Sequence, residues 1–278
     1  MKTKKGIILA AGIAAVLSLF SACTKENKTS ARTVEQIKKS GEIKIAVFSD
    51  KKPFGYVDEY GEYQGYDVYF GNRIAKDLDV KVKYVPVEAA SRVEFLVTGK
   101  VDIVLANFTV TPERAEKVDF ALPYMKVALG VVSPESALVT KPEDLIGKKL
   151  IISKGTTAET YFTKNYPEVE LLKFDQYAEA YAALLDGRGA GMSTDNTEVL
   201  AWALENPGYK VGIESLGELD TIAAAVQKGN SSLLEWLNNE IVELGKENFF
   251  HADYEATLRS TYGAESDADA LVVEGGKL

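Results

Sequence analysis

The feature that most constrains this chain is an alternation of strand-like and helix-like apolar runs, made once, interrupted, and then made again. The stretch "EIKIAVF" from Glu42 reads as a buried strand, and "YDVYFGNRIAKDL" spaces Val68, Phe70, Ile74 and Leu78 onto one helix face. "VKVKYVPV" alternates as a strand, "RVEFLVTG" is a short helix closed by glycine, and "VDIVLA" is another buried strand. After a gap the alternation resumes: strand "KKLIISK", helix "TAETYFTKNY", strand "VELLKF", helix "AEAYAALLDG", strand "GAGMST", helix "TEVLAWALE". Each series is the pattern of a parallel sheet covered by helices, so the fold class is α/β. One blemish is Gly71, which weakens its helix by about 1 kcal/mol relative to alanine for no reason visible in the sequence.

Two uncharged extended segments flank the second series, "ALGVV" at 128–132 and "TIAAAVQ" at 221–227. A chain that leaves one unit and later returns to it crosses twice, which makes a hinge with a cleft between two lobes. Residues 34–129 with 222–278 are expected to form lobe 1, and 130–221 lobe 2. In the last part, "LLEWLNNEIVELGKENFF" reads as a long amphipathic helix with Leu234, Leu237, Ile241 and Leu244 to one side. Near the first crossing, "TPER" reads as a helix start: Thr111 as N-cap, Pro112 at the first position, Glu113 at the second. Arg114 then lies where the helix dipole disfavours a cation. An anion is expected beside it, its rival being an ion pair with a neighbour such as Asp119.

The N-terminus is an export leader. Lys2, Lys4 and Lys5 precede an apolar run at 6–20 that is short for a membrane span, followed by Ser21, Ala22 and Cys23. Cys23 is the only cysteine, so no disulfide forms within the chain. Residues 1–22 are read as a signal peptide and 23–33 ("TKENKTSART" from Thr24) as a flexible tether. Removing the leader takes three positive charges and no acids, so the formal charge of −9 becomes −12. That balance speaks against nucleic acid and against electrostatic docking on anionic lipid.

The segments "GYDVYF", "VDIVLANFTVTPERAEKVDFALPY", "LIGKKLIISKGTTAETYF" and "STDNTEVLAW", in this order, resemble the extracellular solute-binding proteins of polar amino-acid ABC transporters, family 3. The resemblance spans about residues 34–275. "EAASRVEFL", "KGTTAETYFTKNYP" and the ending "VVEGGKL" resemble its cysteine-binding lipoprotein branch. The placement of Cys23 resembles a lipobox, with Phe20 where leucine is usual. The resemblance implies a two-lobed periplasmic-binding-protein fold of type II with two hinge crossings. It implies lipidation of Cys23 and a location outside the cytoplasmic membrane. The partners implied are a small polar L-amino acid, first L-cysteine and then glutamate, aspartate or glutamine, and a membrane permease that receives it. A monomer without cofactor is expected.

For the site, the resemblance implies that Arg114 grips the α-carboxylate, helped by Thr109 and the free N–H groups of its helix start. Asp195 accepts the ammonium, with the Asn107 carbonyl beside it. By spacing alone Asp195 and Glu198 read better as a capping box. Ser153, Thr156 and Thr157 close the site from lobe 2, the bland reading being a βα turn capped by Thr157. Arg92 faces the side-chain end of the ligand, and Phe54, Tyr56, Phe108 and Tyr124 wall the pocket or fill core. His251 is the single histidine, which provides neither a metal ligand set nor a catalytic triad. No P-loop occurs, so ATP belongs to another subunit. The rival reading is a dehydratase on the same fold, whose proton donor would be Glu88 or Asp195.

Overall fold

The computed structural model describes residues 31–278. The leader, Cys23 and most of the tether lie outside the described residues. Among the described residues eleven strands form two sheets. The small sheet is β2 (Asp50–Lys51), β3 (Gly55–Val57) and β4 (Tyr63–Gln64), all antiparallel. The large sheet joins β1 (Glu42–Val47), β5 (Lys81–Pro86), β6 (Ile103–Val104), β7 (Val118–Pro134), β8 (Lys149–Ser153), β9 (Glu170–Phe174), β10 (Gly191–Asp195) and β11 (Tyr209–Gln227). Its order is β5-β1-β6-β11-β7-β10-β8-β9.

Each half of that sheet is a parallel set, β1 with β5 and β6, and β8 with β9 and β10. The antiparallel pair β7–β11 runs through both halves, pairing with β6 at one end and with β10 at the other. The two uncharged segments lie inside these strands, which are 17 and 19 residues long. Register slips between Leu216 and Asp220, opposite Leu129 and Val127, mark the middle of the pair. Extra residues in one strand bend it, and this bend falls where the chain passes between the units.

The helices are α1 (Val34–Ser40), α2 (Tyr66–Asp77), α3 (Arg92–Val97), α4 (Pro112–Ala115), α5 (Thr157–Asn165), α6 (Tyr177–Leu185), α7 (Asn196–Glu205), α8 (Ser231–Lys246), α9 (Phe249–Thr257) and α10 (Arg259–Tyr262). One apolar cluster packs α1, α2, α8 and α9 on the first unit, and another packs α5 against β8 in the second. A third draws from both units, bringing Phe48 and Ala46 together with Ile151, Tyr177 and Met192.

Two helix readings change. The long closing helix is two helices, broken at Asn248 in the left-handed region with φ 55°. Leu233, not Leu234, shares the buried face with Leu237, Ile241 and Leu244. Gly71 has a reason: a Cβ there would lie 2.8 Å from the Tyr84 hydroxyl. That hydroxyl donates to the Val68 carbonyl and contacts Asn72 Oδ1, each at 2.9 Å. The missing side chain lets β5 pin α2.

Candidate functional site

The site forms where the loops after β1 and β6 meet the loop after β8 and the end of β10. Thr111 caps α4 as expected, its hydroxyl accepting from Arg114 N at 3.2 Å. However, α4 is four residues long, so Arg114 lies in its last turn as much as its first. The helix dipole therefore does not disfavour a cation there, and the cap uses an N–H that was expected to bind an anion. The side chain itself still stands out. Arg114 Nη1 donates to the Thr109 carbonyl at 2.7 Å and Nη2 to the Gly155 carbonyl at 2.9 Å. Arg92, which is buried, donates to the carbonyls of Ala89, Ala106, Asn107 and Gly155.

Among the described residues neither arginine pairs with a carboxylate; Asp119 pairs with Lys228 instead. Both guanidinium groups lie over the Phe108 ring, at 4.5 Å for Arg92 and 4.9 Å for Arg114. Burial, then the proximity of Arg92, pushes the Arg114 pKa down to about 9, and burial lowers that of Arg92. Two cations share one carbonyl, and no carboxylate pairs directly with either. A carboxylate placed there would gain charge-assisted bonds from both.

Gly155 makes this meeting possible. It sits at φ 72°, and a Cβ would come within 2.4 Å of Ala90 Cα across the cleft. The cap of α5 is Thr156, not Thr157: its hydroxyl accepts from Glu159 N and donates to the Ser153 carbonyl. The Ser153 hydroxyl is buried without a partner. Thr157 lines an outer cavity of about 630 Å³ together with Phe108, Arg114, Tyr161 and Asp220.

Behind the arginines lies a buried charged cluster, in which sequence reading named Asp195 and Asn107 but missed Lys51 and Asp67. Asp195 heads α7 but makes no side-chain cap bond, so the capping-box reading fails. Its Oδ2 accepts from Lys51 Nζ at 2.6 Å and Asn107 Nδ2 at 2.7 Å. Lys51 Nζ is also 3.4 Å from Glu198 Oε2. Burial opposes the Lys51 charge, yet Asp195, Tyr177 and Glu198 outweigh it and raise its pKa. Burial pushes Glu198 up to about 7.

Asn107 adopts φ 45°, and its N–H donates to Asp67 Oδ2 at 2.8 Å. Burial likewise raises Asp67 to about 7, although Tyr124 donates to its other oxygen at 2.5 Å. The Asn107 carbonyl, expected to face an ammonium, accepts from Arg92 at 3.2 Å. Its side-chain Oδ1 is buried and unpartnered. Phe54 and Tyr124 are fully buried in the first unit's core, and Tyr56 is half-buried on β3 beside Lys52. Of the four aromatics, Phe108 is the one that reaches the outer cavity.

Lys51 was hidden because "DKKP" presents two equivalent lysines. The strand there, Asp50–Lys51, is too short for alternation to single out either one. Asp67, in the helix-opening "GYD", carried no signal that separated it from an ordinary first-turn acid.

Two α/β units joined by two long strands, with two guanidinium groups between them that pair with no carboxylate, define a two-lobed solute-binding fold of type II. The chain belongs to the bacterial extracellular solute-binding proteins, family 3, whose pattern matches residues 43–255. It is similar to a crystal structure described as the solute receptor for L-cysteine of Neisseria gonorrhoeae. Identity is 53%, the TM-score 0.86, and the match covers 87% of this chain and 100% of that one. A cysteine-binding protein from Campylobacter jejuni is similar at 53% identity and TM-score 0.85, covering 87% and 98% of the two chains. The glutamine-binding protein GlnH of Bacillus subtilis is 28% identical, over 85% of this chain and 87% of its own length.

Proposed function

We propose that this chain is the substrate-binding lipoprotein of an amino-acid ABC importer, capturing a small polar L-amino acid, first L-cysteine, between its lobes. The observation that carries the reading is the pair Arg92 and Arg114, which meet carbonyl oxygens and no carboxylate. An α-carboxylate supplies the missing charge. Asp195, its Oδ2 bonded to Lys51 and Asn107, offers its other oxygen to the α-ammonium, beside the unpartnered Asn107 Oδ1. Thr109, Ser153, Thr156 and Thr157 complete the walls. The lobes are 34–129 with 222–278, and 130–221, and closure on the ligand presents it to a permease. Cys23 carries the lipid that holds the protein outside the cytoplasmic membrane.

The likeness at 53% identity to two cysteine-binding proteins favours L-cysteine over glutamine, glutamate or aspartate. The dehydratase reading is weaker, because Glu88 borders a separate depression with Ser49 and Phe95, and Asp195 is held in an ion pair. Thermal-shift titration of the mature protein against the twenty L-amino acids under reducing conditions tests the proposal. A ligand that binds only the folded state stabilises it by about 2.7 kcal/mol at a hundredfold excess over Kd. L-Cysteine is expected to give the largest shift. A larger shift from glutamine would move the specificity, and silence from all twenty would overturn the reading.

A further inference from the structure

Lys51 is the only buried lysine among the described residues. It belongs to the first unit, yet its ammonium ends among groups of the second. Asp195 Oδ2 is 2.6 Å away and Glu198 Oε2 3.4 Å. Three rings surround it: Tyr177 at 4.7 Å, Phe48 at 5.4 Å and Phe54 at 5.9 Å from their centroids. Two carboxylates and three aromatic faces are the ingredients of a receptor for an organic cation. As a clamp between lobes this bridge is a poor device, since a well-packed apolar pair of the same shape avoids the desolvation of two ions. The neighbouring Lys52 already reaches Glu205 at the surface, 2.9 Å away. The cage is also continuous with the site, because Asp195 and Asn107 belong to both.

On the amino-acid reading of this site, we propose that Lys51 determines specificity. Its ammonium fills, from within the protein, a cage that would otherwise take the cationic end of a basic amino-acid side chain, and so it restricts the site to ligands without one. The side chain acts as a tethered competitor. A free lysine or ornithine must displace a group held at very high effective concentration, so it is excluded while Lys51 stands.

The test compares the wild-type mature protein with Lys51→Ala, which opens the cage, and Lys51→Met, which removes the charge but keeps the stem volume. Ethylammonium and propylammonium chloride probe the cage alone, with tetramethylammonium as a control that cannot donate an N–H. L-Ornithine, L-lysine and L-arginine probe the whole site by calorimetry. Lys51→Ala is expected to show a saturable thermal shift with the primary ammonium ions and to bind at least one basic amino acid about tenfold or more tighter than wild type. Wild type and Lys51→Met should gain neither. A folded Lys51→Ala that ignores every cation overturns the proposal, as does a wild type that binds lysine as tightly as a neutral amino acid. Should Lys51→Ala not fold, Lys51→Ala/Glu198→Gln leaves a single carboxylate and repeats the measurement. A chain unfolded in both forms, with or without cation, makes Lys51 structural and also overturns it. Alkylammonium ions carry no α-carboxylate and do not need the arginine site, so they still report on the cage if the amino-acid panel on wild type is silent.

Discussion

Arg114 spends its two terminal nitrogens on the carbonyls of Thr109 and Gly155, in the company of a second guanidinium. Carbonyls orient a cation without neutralising it, which keeps the site receptive to an anion. Removing Arg114 should therefore affect binding far more than folding. A buried charge pair that loses one partner weakens by about 3–5 kcal/mol, roughly two to four decades in affinity. Arg114→Ala should show that loss by calorimetry while its melting temperature holds or rises, because an unbalanced cation has left a half-buried position. Affinity within about threefold of wild type would remove Arg114 from the site. Its type and place were legible in "TPER", but the reason read from the sequence was not the one the structure gives. The anomaly of a cation at a helix start dissolves in a helix of one turn, and the meaningful anomaly is the missing carboxylate.

At the scale of elements, the C-terminal segment is fastened to α9. Glu274 accepts from the backbone N–H of Phe250 and His251 at 3.3 and 3.1 Å, capping that helix from 24 and 23 residues away. The His251 ring lies between Glu274 Oε2 and Asp269 Oδ1, each at 2.8 Å. Burial works against its charge, but the hydrogen bonds to Glu274 and then Asp269 win, and its pKa is raised above 6.5. The folded state thus binds a proton more tightly than the unfolded one. The stabilisation is complete below about pH 6.5 and is lost as pH rises through the raised value. His251→Ala should lower the melting temperature clearly near about pH 5.5 and much less near about pH 9. A gap independent of pH would mean that the ring serves only by packing. No sequence pattern announced this clasp, because its partners are joined only by the fold.

At the scale of the whole molecule, two long strands carry the chain between units whose parallel sets would otherwise be separate sheets. The register of that pair slips between Leu216 and Asp220, and the Gly155 carbonyl in the loop after β8 accepts from both Arg92 and Arg114 of the first unit. The proposed lipid on Cys23 would act independently of this framework. Among the described residues no helix is long and apolar enough to cross a membrane. Cys23→Ser should release the protein into the soluble fraction with its amino-acid affinity unchanged. A variant that sediments with membranes as firmly as wild type would refute lipidation at Cys23.

By itself the sequence determined the α/β class, the two series of elements and the two crossings. Those properties follow from hydrophobic period and turn chemistry, which act over a few residues. Only the tertiary structure decided that Lys51 rather than Lys52 is buried, that Asp195 takes a lysine instead of capping α7, and that Gly71 makes room for Tyr84. Each depends on a partner remote in the chain: Lys51 and Asp195 stand 144 residues apart. Charge pairing and steric room act through space, and local pattern carries no record of who the neighbour will be.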